Sequence, residues 1–263
     1  MPQDHRLQPQ RFELKYLIAE ELSSLMRDFL SCYLELDEYV AGKPDFSYPV
    51  HSVYLDSDDL KTCHASVNGT RNRFKLRMRY YDDEPHTPVF FEVKTRYDNC
   101  IHKQRCAVRR SAVPLLLAGQ LPEPEHLLSN EPRHLASLQH FNFLVHQLNA
   151  RPKAHNHYLR EAWVSPCDNS IRVTFDRNVR IEPWFGPRPV VEFKRPFRLF
   201  REFTVLELKF TTRFPNWFKE MVERFELMQF SSAKYAEGVI EAGEQRFVNQ
   251  PGVSHEMAMV NEE

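Results

Sequence analysis

The stretch RNRFKLRMRYY, residues 71–81, sets Arg71, Arg73, Lys75, Arg77 and Arg79 at every second position, with Phe74, Leu76, Met78 and Tyr80 between them. Side chains two apart along an extended strand share a face, so one face is basic throughout and the other apolar. A row of like charges repels itself unless solvent or an anion screens it. Guanidinium forks and lysine ammonium groups match phosphoryl oxygens, so the chemistry this pattern suits is the holding of a polyanion.

The pattern recurs. Phe90, Glu92 and Lys94 share a face in VFFEVK, and Lys103, Arg105 and Arg109 share one in HKQRCAVRR. Arg11, Glu13 and Lys15 fall together, as do Arg172, Thr174 and Asp176, and Glu207 with Lys209. Several cations thus stand beside a minority of carboxylates, whose oxygens suit Mg²⁺ or Mn²⁺, ions that bridge readily to phosphates. The seven glycines form neither G-x-G-x-x-G nor G-x-x-x-x-G-K-[ST], so any phosphate must be bound by side chains.

The elements that must carry these residues are read from periodicity. Strands are expected at about 11–18, 50–56, 71–81, 88–97, 100–110, 154–164, 169–181, 188–194 and 203–211, and helices at 19–32, 58–67, 133–150, after Pro215, and near 231–241. This predicts an α+β fold around one antiparallel sheet of about eight strands with flanking helices, closed into a β-barrel because closure removes exposed edges. Residues 1–263 are expected to form one domain with its core at about 11–241 and a flexible tail over 243–263.

Two orientations fit the charged faces. Strand by strand, facing water is the default for an antiparallel sheet. The apolar faces must nevertheless be covered, and the helices at 19–32, 133–150 and 216–226 can do so from outside, which turns the charges inward. Unpaired buried charge costs several kcal/mol per group, so such an interior must hold water, metal and a polyanion.

Global features exclude other classes. The 263 residues carry 35 basic and 36 acidic side chains, so net charge favours neither an anionic nor a cationic partner. No apolar run approaches the ~20 residues of a membrane span, and MPQDHRLQPQ lacks the apolar segment of a signal peptide, so a cytoplasmic location is expected. Five scattered cysteines without a C-x-x-C pair read as reduced thiols. His155 and His157 are expected to face solvent, Asp56, Asp58 and Asp59 to cap a helix, and Phe214, Trp217, Phe218 and Phe225 to pack one.

Seven motifs occur in order: R-x-E-x-K-Y at 11–16, S-V-Y-L-D at 52–56, R-x-K-L-R-x-R-Y at 73–80, F-E-V-K at 91–94, R-V-T-F-D-R at 172–177, L-E-L-K-F at 206–210 and K-Y at 234–235. In this set the chain resembles the VTC (vacuolar transporter chaperone) polyphosphate polymerase domain, freestanding bacterial type, of the triphosphate tunnel metalloenzyme superfamily. The resemblance implies an eight-stranded tunnel that transfers the ATP γ-phosphate to a growing inorganic polyphosphate chain. By family position Lys15, Arg77, Arg79, Lys94, Arg172, Lys209 and Lys234 would act on the phosphates, with Arg73, Lys75, Lys103 and Arg105 as further phosphate contacts. Glu207 would be the main ligand of Mn²⁺ or Mg²⁺, helped by Glu13 and Glu92. The family often has Ser before the last K-Y, where this chain has Ala233.

Two other activities fit the same residues: a triphosphatase, if water replaces the acceptor phosphate, or a non-catalytic polyphosphate-binding module. A nucleic-acid partner is not expected, because Phe74 and Tyr80 lie on the face opposite the arginines.

Overall fold

The computed structural model describes residues 11–248 apart from Pro44, Asn99, Cys167, Asn169, Thr212, Ser231 and Ser232. In chain order it runs β1 (Arg11–Ile18), α1 (Glu20–Leu30), β2 (Glu35–Leu36), β3 (Tyr48–Asp56), α2 (Lys61–Val67), β4 (Asn72–Tyr80), β5 (Val89–Tyr97) and β6 (Cys100–Val108). It continues α3 (Val113–Leu117), α4 (Pro132–Leu148), β7 (Arg151–Val164), β8 (Ile171–Pro183), β9 (Phe197–Arg198), β10 (Thr204–Thr211), α5 (Asn216–Arg224) and α6 (Lys234–Ala242).

Eight strands hydrogen-bond in the order β1-β10-β8-β7-β3-β4-β5-β6, every pair antiparallel, while the two-residue β2 and β9 pair with β7 and β8. The expectation of a closed barrel is corrected here: among the described residues no ladder joins β1 to β6, so the sheet is open. The β1 edge supplies one physical reason. The free edge of β1 is partly taken by the segment after α5, where Gln229 bridges to Tyr16 and the Phe230 amide donates to the Lys15 carbonyl at 2.7 Å. A strand edge already paired has no groups left for another neighbour.

The expected strand at 188–194 is also absent; the chain there is irregular and only Phe197–Arg198 pairs. Pro187, Pro189 and Pro196 remove backbone donors through this stretch, which disqualifies it from a ladder.

The expected helices do cover the outer, apolar face. Phe141, Leu138 and Leu144 of α4 pack on Leu76, Met78, Phe91, Val93 and Cys106, and Met26, Phe29 and Leu30 of α1 with Phe218 and Met221 of α5 pack on Val173, Phe175, Leu206 and Leu208. Their charged companions therefore point to the concave side. α4 starts with Pro132 at its first position and stops at Asn149 in the left-handed region, φ 48°, as helix termini commonly do.

α6 behaves differently and lies on the concave face. Tyr235, Ala236 and Val239 pack with Tyr54, Ala154, Tyr158, Ile181 and Val205. Its Gly238 sits so close to β8 that a Cβ there would come within 2.7 Å of Ile181 Cδ1. Beyond α6, Phe247 is fully buried, while residues 249–263 of the expected tail lie outside the described residues.

Candidate functional site

The strand alternation brings the charged side chains of seven strands and one helix to the concave face. Register fixes the neighbours: Lys15 lies opposite Glu207, Glu13 opposite Lys209, and Lys209 opposite Arg172. On the other wall Arg77 lies opposite Glu92, Lys75 opposite Lys94, Lys94 opposite Lys103, and Glu92 opposite Arg105. The two walls meet where Lys94 Nζ contacts Glu13 at 3.1 Å.

One group is centred on Glu207. Its carboxylate is buried and contacts Lys234 at 2.8 Å, Lys209 at 2.5 Å, Arg160 at 3.3 Å and Lys15 at 3.7 Å. Asp176 stands beside it, held by Arg160 and Lys234 at 2.7 Å each. Burial would raise the Glu207 carboxyl, but Lys209, Lys234, Lys15 and Arg160 hold it well below its ordinary value. Burial likewise opposes the Lys234 charge, and Asp176 and Glu207 overcome it, so the ammonium is locked on. Lys15 is raised on the same balance, with burial against Glu13 and Glu207.

The second group is centred on Glu92, which is fully buried and contacts Arg77 at 2.6 Å, Lys103 at 2.7 Å and Arg105 at 3.5 Å. Burial raises its carboxyl, yet Arg77, Arg79 and Lys103 keep it well below the usual range. Arg79 itself donates to the hydroxyls of Tyr158 at 3.0 Å and Ser52 at 3.4 Å rather than to a carboxylate. Arg105 also lies over the Phe90 ring at 3.5 Å.

Cations outnumber carboxylates on this face, and the surplus shows in their titration. Lys75 is pushed down to about 7 by burial and by Lys15, Lys94 and Arg73, with no ion-pair partner among the described residues. Lys103 falls to about 7 by burial, with Arg77 and Arg79 offsetting Glu92. Burial takes Lys209 to about 8 despite Glu207. Crowded ammonium groups of this kind are relieved by an anion of high charge density, and phosphate oxygens supply it.

All the residues singled out from sequence thus reach the concave face, but not as one constellation. Lys15, Lys209, Lys234, Glu13 and Glu207 gather on one wall and Arg77, Arg79, Lys103, Arg105 and Glu92 on the other, with Lys94 between them and Lys75 opposite it. Arg172 stands further along and is neutralised by Asp37 at 2.7 Å. Arg73 lies at the outer end of β4.

Sequence reasoning missed Arg160, Asp176 as a partner of Lys234, Tyr54 and Tyr158. Tyr54 stacks on Tyr235 with centroids 4.6 Å apart and accepts weakly from Arg77. Their alternation with the known positions was the available signal. Asp56 does cap α2, accepting from the Thr62 and Cys63 amides, and in addition accepts from the Tyr235 hydroxyl at 2.8 Å, so it ties α6 to the sheet.

The expectation that His155 and His157 face solvent is wrong. His155 is fully buried and His157 half-buried, under the 184–196 loop: His155 stacks on Phe193 with centroids 4.2 Å apart and meets His51 Nδ1 at 3.0 Å. The loop's apolar Phe193 gave no periodic signal of where it would lie.

Among the described residues no three His, Cys, Asp or Glu side chains converge on a point where a metal would sit. Two carboxylates, Glu207 and Asp176, do share a cation, Lys234, and hard oxygen pairs of this kind hold Mg²⁺ when phosphates complete its shell. Glu92, one of the expected helpers, has a cation set of its own across the cleft.

Comparison with known proteins gives three results. The family model of the VTC domain matches residues 10–241. Vacuolar transporter chaperone complex subunit 4 of Trypanosoma cruzi (strain CL Brener) is 23% identical over 155 residues, 51% of this chain and 19% of that protein, so the chain spans about a fifth of that relative. A candidate adenylate cyclase of known structure from Bacillus halodurans superposes with a TM-score of 0.48 at 12% identity, covering 86% of this chain and 94% of that one.

Proposed function

We propose, from the premise that this chain belongs to the VTC-domain family, that it is an ATP-dependent polyphosphate polymerase. The observation that carries the reading is the buried concave face on which cations outnumber carboxylates and two lysines are held near pH 7. A structural ion-pair network would match its charges; this one is left short of anions.

Phosphoryl transfer asks mainly for positioning and neutralisation of charge. Arg77, Arg79, Lys94 and Lys103 grip a triphosphate from one wall, and Lys15, Lys209 and Lys234 from the other. A terminal oxygen of the growing chain, already anionic, attacks the γ-phosphorus in line; the bond from that phosphorus to the β–γ bridging oxygen breaks, and ADP leaves with its electron pair. No side chain need accept a proton. A divalent cation of the kind the superfamily uses would be held by Glu207 with Asp176, Glu13 standing nearby, and would neutralise phosphate charge there. The cations meanwhile orient the two phosphates and exclude water from the line of attack.

The test is to incubate the protein with γ-labelled ATP and Mn²⁺ or Mg²⁺ and resolve the products on a gel. A ladder of labelled polymer, lost in Glu207→Ala and Arg77→Ala, is expected. Free phosphate without polymer would make the protein a triphosphatase, and tight triphosphate binding without turnover a binding module.

No helix among the described residues is long and apolar enough to cross a membrane. ATP and inorganic polyphosphate are the partners this reading requires.

A further inference from the structure

At the open end of the β4–β5 pair, away from the turn that joins the two strands, the basic ladder continues past the residues used above. Arg73 and Arg96 are directly opposed across the two strands, one step beyond the opposed Lys75 and Lys94. Like charges facing each other across a ladder are destabilising unless something lies between them. With Arg71, Asp98 and Gly69 they line a cavity of about 320 Å³ that is open to solvent.

The polar contacts inside this cluster engage few of its guanidinium donors. Arg96 Nε donates to the Asp98 carbonyl at 2.8 Å, Arg73 donates to the Thr70 carbonyl, and the Arg71–Asp98 ion pair is long, 3.7 Å, between side chains 88% and 72% exposed. Asp98 is the single carboxylate against three guanidinium groups lining the cavity. Gly69, in the left-handed region at φ +65° and with open space where a Cβ would be, leaves its flank unobstructed.

Distance separates the cluster from the reacting phosphates. Arg73 stands four residue steps along the strand from Arg77, about 13 Å at about 3.3 Å per residue. A triphosphate gripped at Arg77 and Lys94 ends short of that point. A longer chain on the same face does not, because Arg77, Lys75 and Arg73 offer a cation at every second residue.

We infer that Arg71, Arg73 and Arg96 form a second anion subsite, which holds a stretch of polyphosphate chain beyond the phosphates at the reacting centre. The inference rests on the polymerase reading and adds to it a site for the polymer itself. Guanidinium groups suit the task because each offers two parallel donors to successive phosphate oxygens and stays charged when crowded.

The test compares inorganic tripolyphosphate with long-chain inorganic polyphosphate as ligands of the wild type, Arg71→Gln, Arg96→Gln and the double variant, by calorimetry. The double variant is expected to bind the long chain about tenfold more weakly, with a shallower salt dependence, and tripolyphosphate within about twofold of the wild type. Arg71→Gln alone, at a side chain in solvent that no packing depends on, is expected to show part of the loss, so a folding defect at Arg96 does not decide the result. Equal losses for both ligands, or none for either, would overturn the subsite while polymer synthesis stood. A wild type that binds neither ligand would overturn the subsite and the polymerase reading together.

Discussion

Replacing Lys75 by methionine should make the free protein more stable, against the usual effect of altering a half-buried residue. Lys75 faces Lys94 directly and has Lys15 and Arg73 nearby, and burial with these charges takes it from 10.5 to about 7. At about 1.4 kcal/mol per pH unit, that fall sets a ceiling of about 5 kcal/mol on the cost of holding the charge in the fold. The side chain keeps some access to the cleft, so solvent screens part of it, and about 2 kcal/mol is expected, or about 4–8 °C in Tm.

The sign with pH follows from the two titrations. Below pH 7 both folded and unfolded chains carry the proton and the whole cost is present. Between about 7 and 10.5 the unfolded chain holds more protons than the folded one, so wild-type stability recovers as pH rises. The gain in Lys75→Met should therefore be largest at about pH 6.5 and should vanish near pH 10.5, measured by calorimetry in phosphate-free buffer. The same variant should bind tripolyphosphate at least about tenfold more weakly. A lower Tm at pH 6.5, or a gain that grows with pH, would refute the claim that the cleft is short of anions.

Other substitutions separate structure from chemistry. Glu207→Gln strips the shared counter-ion from Lys15, Arg160, Lys209 and Lys234, and should lower stability by about 3–5 kcal/mol in urea titrations, with partial recovery on adding tripolyphosphate. His51, His155 and His157 are held down by burial at about 3, 2 and 4, with His157 also opposing His51, His51 and His157 opposing His155, Arg180 opposing His157, and Asp82 acting the other way on His51. Their stabilisation is complete above pH 6.5 and is lost as pH falls toward 4, so His155→Phe should flatten the decline of urea midpoint between about pH 7 and pH 5. An unchanged slope would mean the imidazoles are not the groups taking up the protons. Gly238→Ala should cost about 1–3 kcal/mol, read from denaturant midpoints, because its Cβ would press on Ile181.

Alternation made the concave face readable from sequence. Arg77 with Glu92, Lys94 with Lys103 and Lys15 with Glu207 follow from period-two faces on neighbouring strands, and the covering helices α1, α4 and α5 follow from period 3.6. The state of the β1 edge did not follow, because Gln229 and Phe230 occupy it through single backbone contacts that leave no trace in side-chain type. Nor did the place of α6. Its apolar residues fit an outer or an inner berth equally; Gly238, and Tyr235 reaching Asp56, decide for the inner one. The buried histidines escaped for a related reason: their cover is a proline-rich loop without period.

The open order of the sheet between β1 and β6 bears on how a polymer would be handled on the polymerase reading. A closed ring can be loaded only by threading a free end, and a chain inside it can depart only by the same route. Among the described residues no backbone ladder joins β1 to β6; part of the β1 edge is taken by Gln229 and Phe230, and Glu13 of β1 reaches Lys94 of β5 through an ion pair of 3.1 Å. A side-chain contact of that sort opens by rotamer change, without unfolding a strand. On the polymerase reading, the open topology imposes no requirement that a long polyanion enter end first.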